Sequence, residues 1–531
     1  MRRIGPAELR AAIADGGELA ILDAREEGEF GTGHLFWAVP CPLSRREIDA
    51  RALLPRLAVR VVCVDDGRGV AERLAGWLTD IGAADVSVLE GGTPAWQAAG
   101  GVLFTGVNVP SKAFGEWVEH HYGTESIDAP DLRAWLDEGR NVLVLDSRPL
   151  DEFTRMSIPR GVNVPGGELV YRIGDLAPDP ATTVVVNCAG RTRSILGAES
   201  LRRAGIPNRV LALRNGTMGW ELAGLRPDRG STARYPDGRP RTADQALARA
   251  RAFAEASGVG VIGALDLARY EEDPDRTLYA LDVRDPAEFA AGHRPGSHNA
   301  PGGQLVQATD RWIGVRNARV ALLDDDGVRA RMAGAWLRQM GHRDVFVVEG
   351  GLEGARSEGP APVPVPELAE PADWIEPAAL ADQPDGAVVI DLARSVEFRD
   401  GHIPGALWGI RTRLEALRLA LAGASRVVLT SPDAVLARLA VAEVRALAGA
   451  PVRVLRGGTT AWAREGGPLA QDRTDPPDLA CADVYLRPYD RNSGVEAAMR
   501  AYLSWEIDLL HDVARDGSVR FGVPAETERA G

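Results

Sequence analysis

One pattern limits what this chain can fold into more than any other: a short apolar strand ending in aspartate recurs four times, at Asp23, Asp146, Asp282 and Asp391. Each is followed by a Glu-Phe pair (Glu29-Phe30, Glu152-Phe153, Glu288-Phe289, Glu397-Phe398) and, eleven residues after the Asp, by His34, Ser157, His293 or His402. Eight residues further on stand Pro42, Pro165 and Pro301, with Ile410 in the fourth copy. A second apolar strand and a Gly-containing turn complete each unit: Gly91-Gly92, Asn215-Gly216, Gly350-Gly351 and Gly457-Gly458. Three turns are followed by a tryptophan (Trp96, Trp220, Trp462), and the third copy has Ala355 instead. A period of this length is a supersecondary unit repeated along the chain. Strands alternating with helical patterns imply a mostly parallel sheet covered on both faces. The fold class is therefore α/β: four tandem modules at 15–105, 128–228, 263–358 and 376–470, with a helical C-terminal tail at 471–531.

The connections differ in kind. Residues 106–127 hold Phe114, Trp117 and Tyr122 and read as a short helical link, whereas 228–245 is polar and turn-rich. Residues 357–377 carry Pro360, Pro362, Pro364, Pro366, Pro371 and Pro377, an extended spacer. In the tail, Ala498, Tyr502, Trp505, Leu509 and Val513 suit one helix face, for docking on the body or on a second copy.

A length of 531 residues exceeds what one core supports. The net charge of −14 argues against a nucleic-acid partner. No apolar run reaches the length of a membrane span, and the basic start is interrupted by Glu8 and Asp15 before a signal-peptide core forms. Four cysteines in so long a chain point to a reducing compartment, hence the cytoplasm. No Cys-x-x-Cys or His–Cys cluster offers a metal site, and no cofactor is indicated.

The chemistry concentrates in Thr183 to Leu201. Val184-Val185-Val186 reads as a buried strand, and Ser194 onward as a helix with Ile195, Leu196, Ala198 and Leu201 turned inward. Between them Cys188 stands at the mouth of a helix whose first N–H groups lack intrahelical partners, with Arg191 and Arg193 three and five residues on. All of these favour the anionic form of a thiol, so Cys188 is expected to be a thiolate nucleophile near neutral pH. The alternative fate of a free cysteine is that of a small buried hydrophobe.

This strand–NCAGRTRS–helix stretch resembles the active-site loop of rhodanese-type sulfurtransferases. The resemblance covers most of the chain and implies a nucleophile at Cys188 that takes a sulfane sulfur as a persulfide. It implies a cradle of Ala189, Gly190, Arg191, Thr192, Arg193 and Ser194 for a small anionic donor, thiosulfate by default, and a thiol or protein acceptor. Phosphatases of related fold need an arginine six residues after the cysteine. Ser194 stands there, and the shorter loop favours sulfur over a tetrahedral phosphate. The mercaptopyruvate branch of the family carries a different loop, although 3-mercaptopyruvate and glutathione persulfide remain alternative donors.

The repeat spacing places Asp65, Asp324 and Ser431 where the second copy has Cys188, so the other three copies are expected to be catalytically silent. The histidines, absent from the second copy, read as a repeated turn interaction. Asp146 reads as a loop anchor, and Arg148 as a source of positive potential. Glu168, Tyr171 and Arg172 are candidates to line the cleft or a surface loop. Cys63 reads as core, Cys41 as core or a relay thiol, and Cys481 as without a role. A rival reading of the whole is a non-catalytic scaffold that binds anions or partners, with Cys188 marking redox state.

Overall fold

The computed structural model describes residues 1–354, 356–359, 373–381 and 386–523. Ala355 and most of the proline-rich spacer lie outside the described residues. The four modules are four parallel α/β sheets. In the second, the strands run Ser126–Ile127, Val210–Leu213, Thr183–Asn187, Val142–Asp146, Val162–Asn163 from edge to edge, all parallel. The third and fourth modules repeat that order. The first also does so, its outer strand being Arg2–Ile4, three residues too short for the sequence pattern to register. Among the described residues no helix is long and apolar enough to cross a membrane.

The repeated residues hold each module shut. Arg148 forks onto Asp146 (2.9 and 2.8 Å) and donates on to the Met156 carbonyl. Arg25 on Asp23 and Arg284 on Asp282 reach the Gly33 and Gly292 carbonyls in the same way. Asp146 is thus paired with Arg148, whose charge also acts on Glu152. His34, His293 and His402 stack on the phenylalanine of their Glu-Phe pair at 3.7–3.8 Å. Each also pairs its backbone with the segment leaving the module, and Ser157 does the same with Asp228.

The modules are not independent beads. One apolar core runs through the first three. The third module sends Val315–Arg316 back as an antiparallel strand on Leu19–Asp23 of the first. The second and third modules meet face to face through their Pro-Gly-Gly segments. A Cβ on Gly303 would lie 2.8 Å from Gly167 N and 2.9 Å from Gly166 Cα. Gly303→Ala is therefore expected to cost about 1–3 kcal/mol by overpacking a backbone seam, seen as a lower thermal midpoint.

The first and fourth modules meet through Arg411, which is paired with Glu47 at 2.8 Å, and through Thr412, which donates to Glu26 at 2.8 Å. Burial pushes Glu26 up to about 7 against the pull of the Thr412 and Ser44 hydroxyls. An unfolded glutamate deprotonates near its ordinary value, so between that value and about pH 7 the folded chain holds one more proton. The resulting stabilisation is complete below the lower limit and lost as pH rises through about 7. Thermal midpoints followed from pH 5 to pH 8 should fall less steeply in Glu26→Gln than in the native chain. A residual slope is expected, because Asp310 and Asp324 are pushed by burial to about 6.

The tail docks on the body. Its helix Val495–Asp516 buries Met499, Leu503, Glu506, Leu509 and Val513. Leu509 and Val513 are buried as expected, but earlier in the helix Met499, Leu503 and the carboxylate Glu506 are buried in place of Ala498, Tyr502 and Trp505.

Candidate functional site

Cys188 follows the strand Thr183–Asn187 and precedes the helix Thr192–Arg203. That helix is covered on nearly every side, with Thr192, Ser194, Gly197, Glu199 and Ser200 buried beside the expected Ile195, Leu196, Ala198 and Leu201. The third module and the connecting helix Val109–Tyr122 supply the extra cover. The loop is held by its carbonyls. Cys188 O accepts from Thr217 N (2.8 Å) and Thr217 Oγ1 (3.1 Å), and Ala189 O accepts from Met218 N (3.0 Å). Gly216, at φ +54°, permits this approach, since a Cβ there would lie 2.3 Å from Cys188 O. The second Gly of the turn packs likewise on Asp65 O and Ser431 O in the first and fourth modules.

At the nucleophile position the modules diverge. The Asp65 carboxylate accepts from the N–H groups of Gly67, Val70 and Ala71, and Asp324 from those of Gly327 and Ala330. Ser431 Oγ accepts from Ala437 N at 3.4 Å. In three modules a side-chain oxygen thus occupies the helix start. In the second, the equivalent Ser194 N–H turns to Arg191 O at 3.1 Å, and Cys188 Sγ lies 3.6 Å from Ser194 Oγ. A helix start has orphan donors and a positive dipole end, and here it is presented to sulfur.

The two arginines of the loop are already partnered. Arg191 donates to Glu116 (2.7 Å twice) and to Glu119, both on the helix Val109–Tyr122. Arg193 forks onto Glu152 at 2.8 Å. Burial opposes the charge on Arg193, but Glu152, and beyond it Cys188, hold its guanidinium well above the ordinary range. Burial likewise opposes ionisation of Glu152, and Arg193, with Arg487 and Arg148 helping, holds it down to about 2. Arg193 therefore acts on Cys188 as one half of a fixed ion pair.

Sequence reasoning missed the groups that close the site. Helix Val495–Asp516 lies across the loop: Tyr502, Leu503 and Glu506 all come within 4 Å of a Cβ built on Gly190. Met499 and Leu503 pack with Met218, Ala189 and Tyr489. Glu506, 1% exposed, accepts from Lys112 Nζ (2.6 Å) and Thr192 Oγ1 (3.2 Å). Under this cover Cys188 is 2% exposed. The signal available in the sequence was Glu506 itself, an acid at a core position of an amphipathic stripe.

Glu168, Tyr171 and Arg172 do not join the Cys188 loop. Glu168 pairs with Arg172 (2.9 Å) and with Arg329 of the third module (2.8 Å). Arg172 stacks on Tyr171 and Tyr235. All three lie at the seam between the second and third modules, which Glu168 bridges through Arg329, while Arg172 bonds to Glu168 and to the Pro236 and Gly238 carbonyls. Cys41 and Cys63 are fully buried and their thiols pushed up by that burial, and Cys481 is buried beside the Pro476 and Pro477 carbonyls.

The chain matches the family profile of the Rhodanese-like domain at residues 5–99, 128–223, 265–358 and 376–465. It is similar to a thiosulfate sulfurtransferase from Pseudomonas aeruginosa of known crystal structure. Identity is 45%, the match covers 99% of this chain and 100% of that one, and the TM-score is 0.91. SseB of Mycobacterium tuberculosis, whose name gives thiosulfate sulfurtransferase as a provisional activity, is 27% identical over 35% of this chain and 78% of its own length. The HTH-type transcriptional regulator Rv0324 of the same organism is 32% identical over 101 residues, 19% of this chain and 43% of its own.

Proposed function

This chain belongs to the rhodanese family, and from that membership we propose that its second module moves a sulfane sulfur from thiosulfate to a thiophilic acceptor through a Cys188 persulfide. The chain is a sulfurtransferase. The observation that carries the finer reading is the side chain at the equivalent position of the four modules: an oxygen hydrogen-bonded to helix-start N–H groups in three, and the Cys188 sulfur, 3.6 Å from the Ser194 hydroxyl, in one.

The reaction has two displacements. Cys188 thiolate attacks the outer sulfur of thiosulfate, the S–S bond of the donor breaks, and sulfite leaves with the bonding pair. An acceptor thiolate then attacks the outer sulfur of the persulfide, and Cys188 departs as thiolate. Cys188 lies before a helix start, whose dipole favours negative charge, with the Ser194 hydroxyl 3.6 Å from its sulfur, and the Arg193–Glu152 pair fixes a charged centre close by. The first, third and fourth modules are silent by this account, because Asp65, Asp324 and Ser431 cannot form a persulfide. The first and third share an apolar core with the second, and the fourth is joined to the first through Arg411. Thiosulfate is the donor that membership of the family gives by default, with 3-mercaptopyruvate and glutathione persulfide as the alternatives. Four unpaired cysteines fit a cytoplasmic setting.

Mass spectrometry of the intact chain after incubation with thiosulfate tests the reading. A gain of one sulfur, mapped to the peptide containing Cys188 and reversed by cyanide or a thiol, is the expected result. Absence of that gain with all three donors would leave a scaffold that binds anions or partners.

A further inference from the structure

A deep cavity lies remote from the Cys188 loop. It is a cleft of about 1350 Å³ between the first and third modules, floored by residues 516–523 beyond the C-terminal helix. It opens at the amino ends of the sheets, beside the starts of the strands Leu19–Asp23 and Asp344–Glu349. The loops equivalent to the Cys188 loop lie at the carboxyl ends.

Its charge inverts that of the chain. The molecule has 61 basic and 75 acidic side chains, yet the cleft is lined by seven arginines and four carboxylates. Glu18 and Asp344 are already committed to Arg56 and Arg276. Arg10, Arg316 and Arg343 form no ion pair with a carboxylate among the described residues. Arg10 donates to the Ala99 carbonyl, and Arg316 donates to the Ile13 carbonyl at 2.8 Å and lies on the Trp37 ring at 4.0 Å. Arg343 reaches from the third module over Gly16 of the first. Burial, with Arg343 nearby, lowers Arg316 to about 10 against the opposing pull of Asp15 and Asp516. Like charges gathered in a partly enclosed space repel unless an anion sits between them. Guanidinium forks match the oxygens of phosphate, and several of them match a chain of phosphates better than a single carboxylate. The volume exceeds that of an ordinary small-molecule pocket, which leaves room for a nucleotide-sized ligand.

We propose that this cleft, through Arg10, Arg316 and Arg343, binds a small multiply charged phosphate-bearing anion and thereby ties the first module, the third module and the end of the tail together.

Calorimetric titration of the full chain with tripolyphosphate, ATP and succinate tests this at low and at physiological salt. Saturable binding of tripolyphosphate or ATP is expected, weaker as salt rises, with succinate at least about tenfold weaker. Equal affinity for tripolyphosphate and ATP would assign recognition to the phosphates alone. Tighter ATP binding would add the base. Arg343→Gln, an exposed side chain without a structural partner, should weaken binding about tenfold. Arg316→Gln combined with it should weaken binding further, with the thiosulfate reaction unchanged in Arg343→Gln. No saturable binding of either phosphate compound would overturn the proposal. So would unchanged affinity in Arg343→Gln, or succinate binding as tightly as tripolyphosphate. Cys188 persulfide formation is scored separately, so a failure here leaves the sulfur-transfer reading intact.

Discussion

Cys188→Ser is expected to lower thiosulfate-dependent sulfur release by on the order of a thousandfold or more, with the thermal midpoint nearly unchanged. The structure supports both halves of this expectation. Serine offers an oxygen, which has no persulfide state, so the first displacement has no product to form. The loop should tolerate the exchange because its fixed contacts are made by main-chain groups: Cys188 O with Thr217 N and Oγ1, and Ala189 O with Met218 N. The fourth module already folds with Ser431 at the same place, its carbonyl accepting from Thr459 N at 3.0 Å. Cyanide-coupled detection of sulfite or thiocyanate measures the loss. Activity surviving in Cys188→Ser would move the chemistry to another thiol. Cys41 and Cys63 are poor candidates for that role, since burial holds both thiols protonated.

The repeat was legible because its determinants are local. A β-branched run gives a strand, a Glu-Phe pair gives a short helix with its aromatic turned in, and a pair of residues around glycine gives the tight turn. The position of Cys188 at a strand end before a helix start follows from the same reading. What the sequence withheld depends on segments far apart in the chain meeting in space. Nothing near Arg191 announces Glu116 and Glu119, which arrive on a connecting helix. Glu168 and Arg172 read as residues of a cleft or a surface loop, and nothing near them announces Arg329, 161 residues from Glu168. Val315–Arg316, a two-residue strand, carries no periodicity to read. On the tail helix Leu509 and Val513 follow the apolar pattern, whereas Met499, Leu503 and Glu506 are buried in place of Ala498, Tyr502 and Trp505, since Glu506 is paired with Lys112 from a distant helix.

That buried pair carries the other large effect. Glu506→Ala is expected to destabilise the chain by about 3–5 kcal/mol and to speed alkylation of Cys188. Lys112 is held charged in the interior: burial works against its charge, and Glu506, followed by Tyr502, raises it far above the ordinary range. Without Glu506 the ammonium retains the Tyr502 hydroxyl and the faces of Tyr502 and Trp505, at 4.8 and 5.7 Å. These interactions are too weak to offset an uncompensated buried charge. The cheapest escape is for the helix Val495–Asp516 to lift away and admit water to Lys112. Because Glu506 and Leu503 also lie against Gly190, that movement uncovers the Cys188 loop. Pairing Lys112→Met with Glu506→Leu removes both charges and should restore most of the lost stability, together with slow alkylation. Iodoacetamide kinetics at Cys188, read beside thermal midpoints for the single and double variants, separate this coupling from simple loss of packing. If the single variant melted lower yet left the alkylation rate where it was, the tail would be a brace for the first and second modules and not a cover over the thiol.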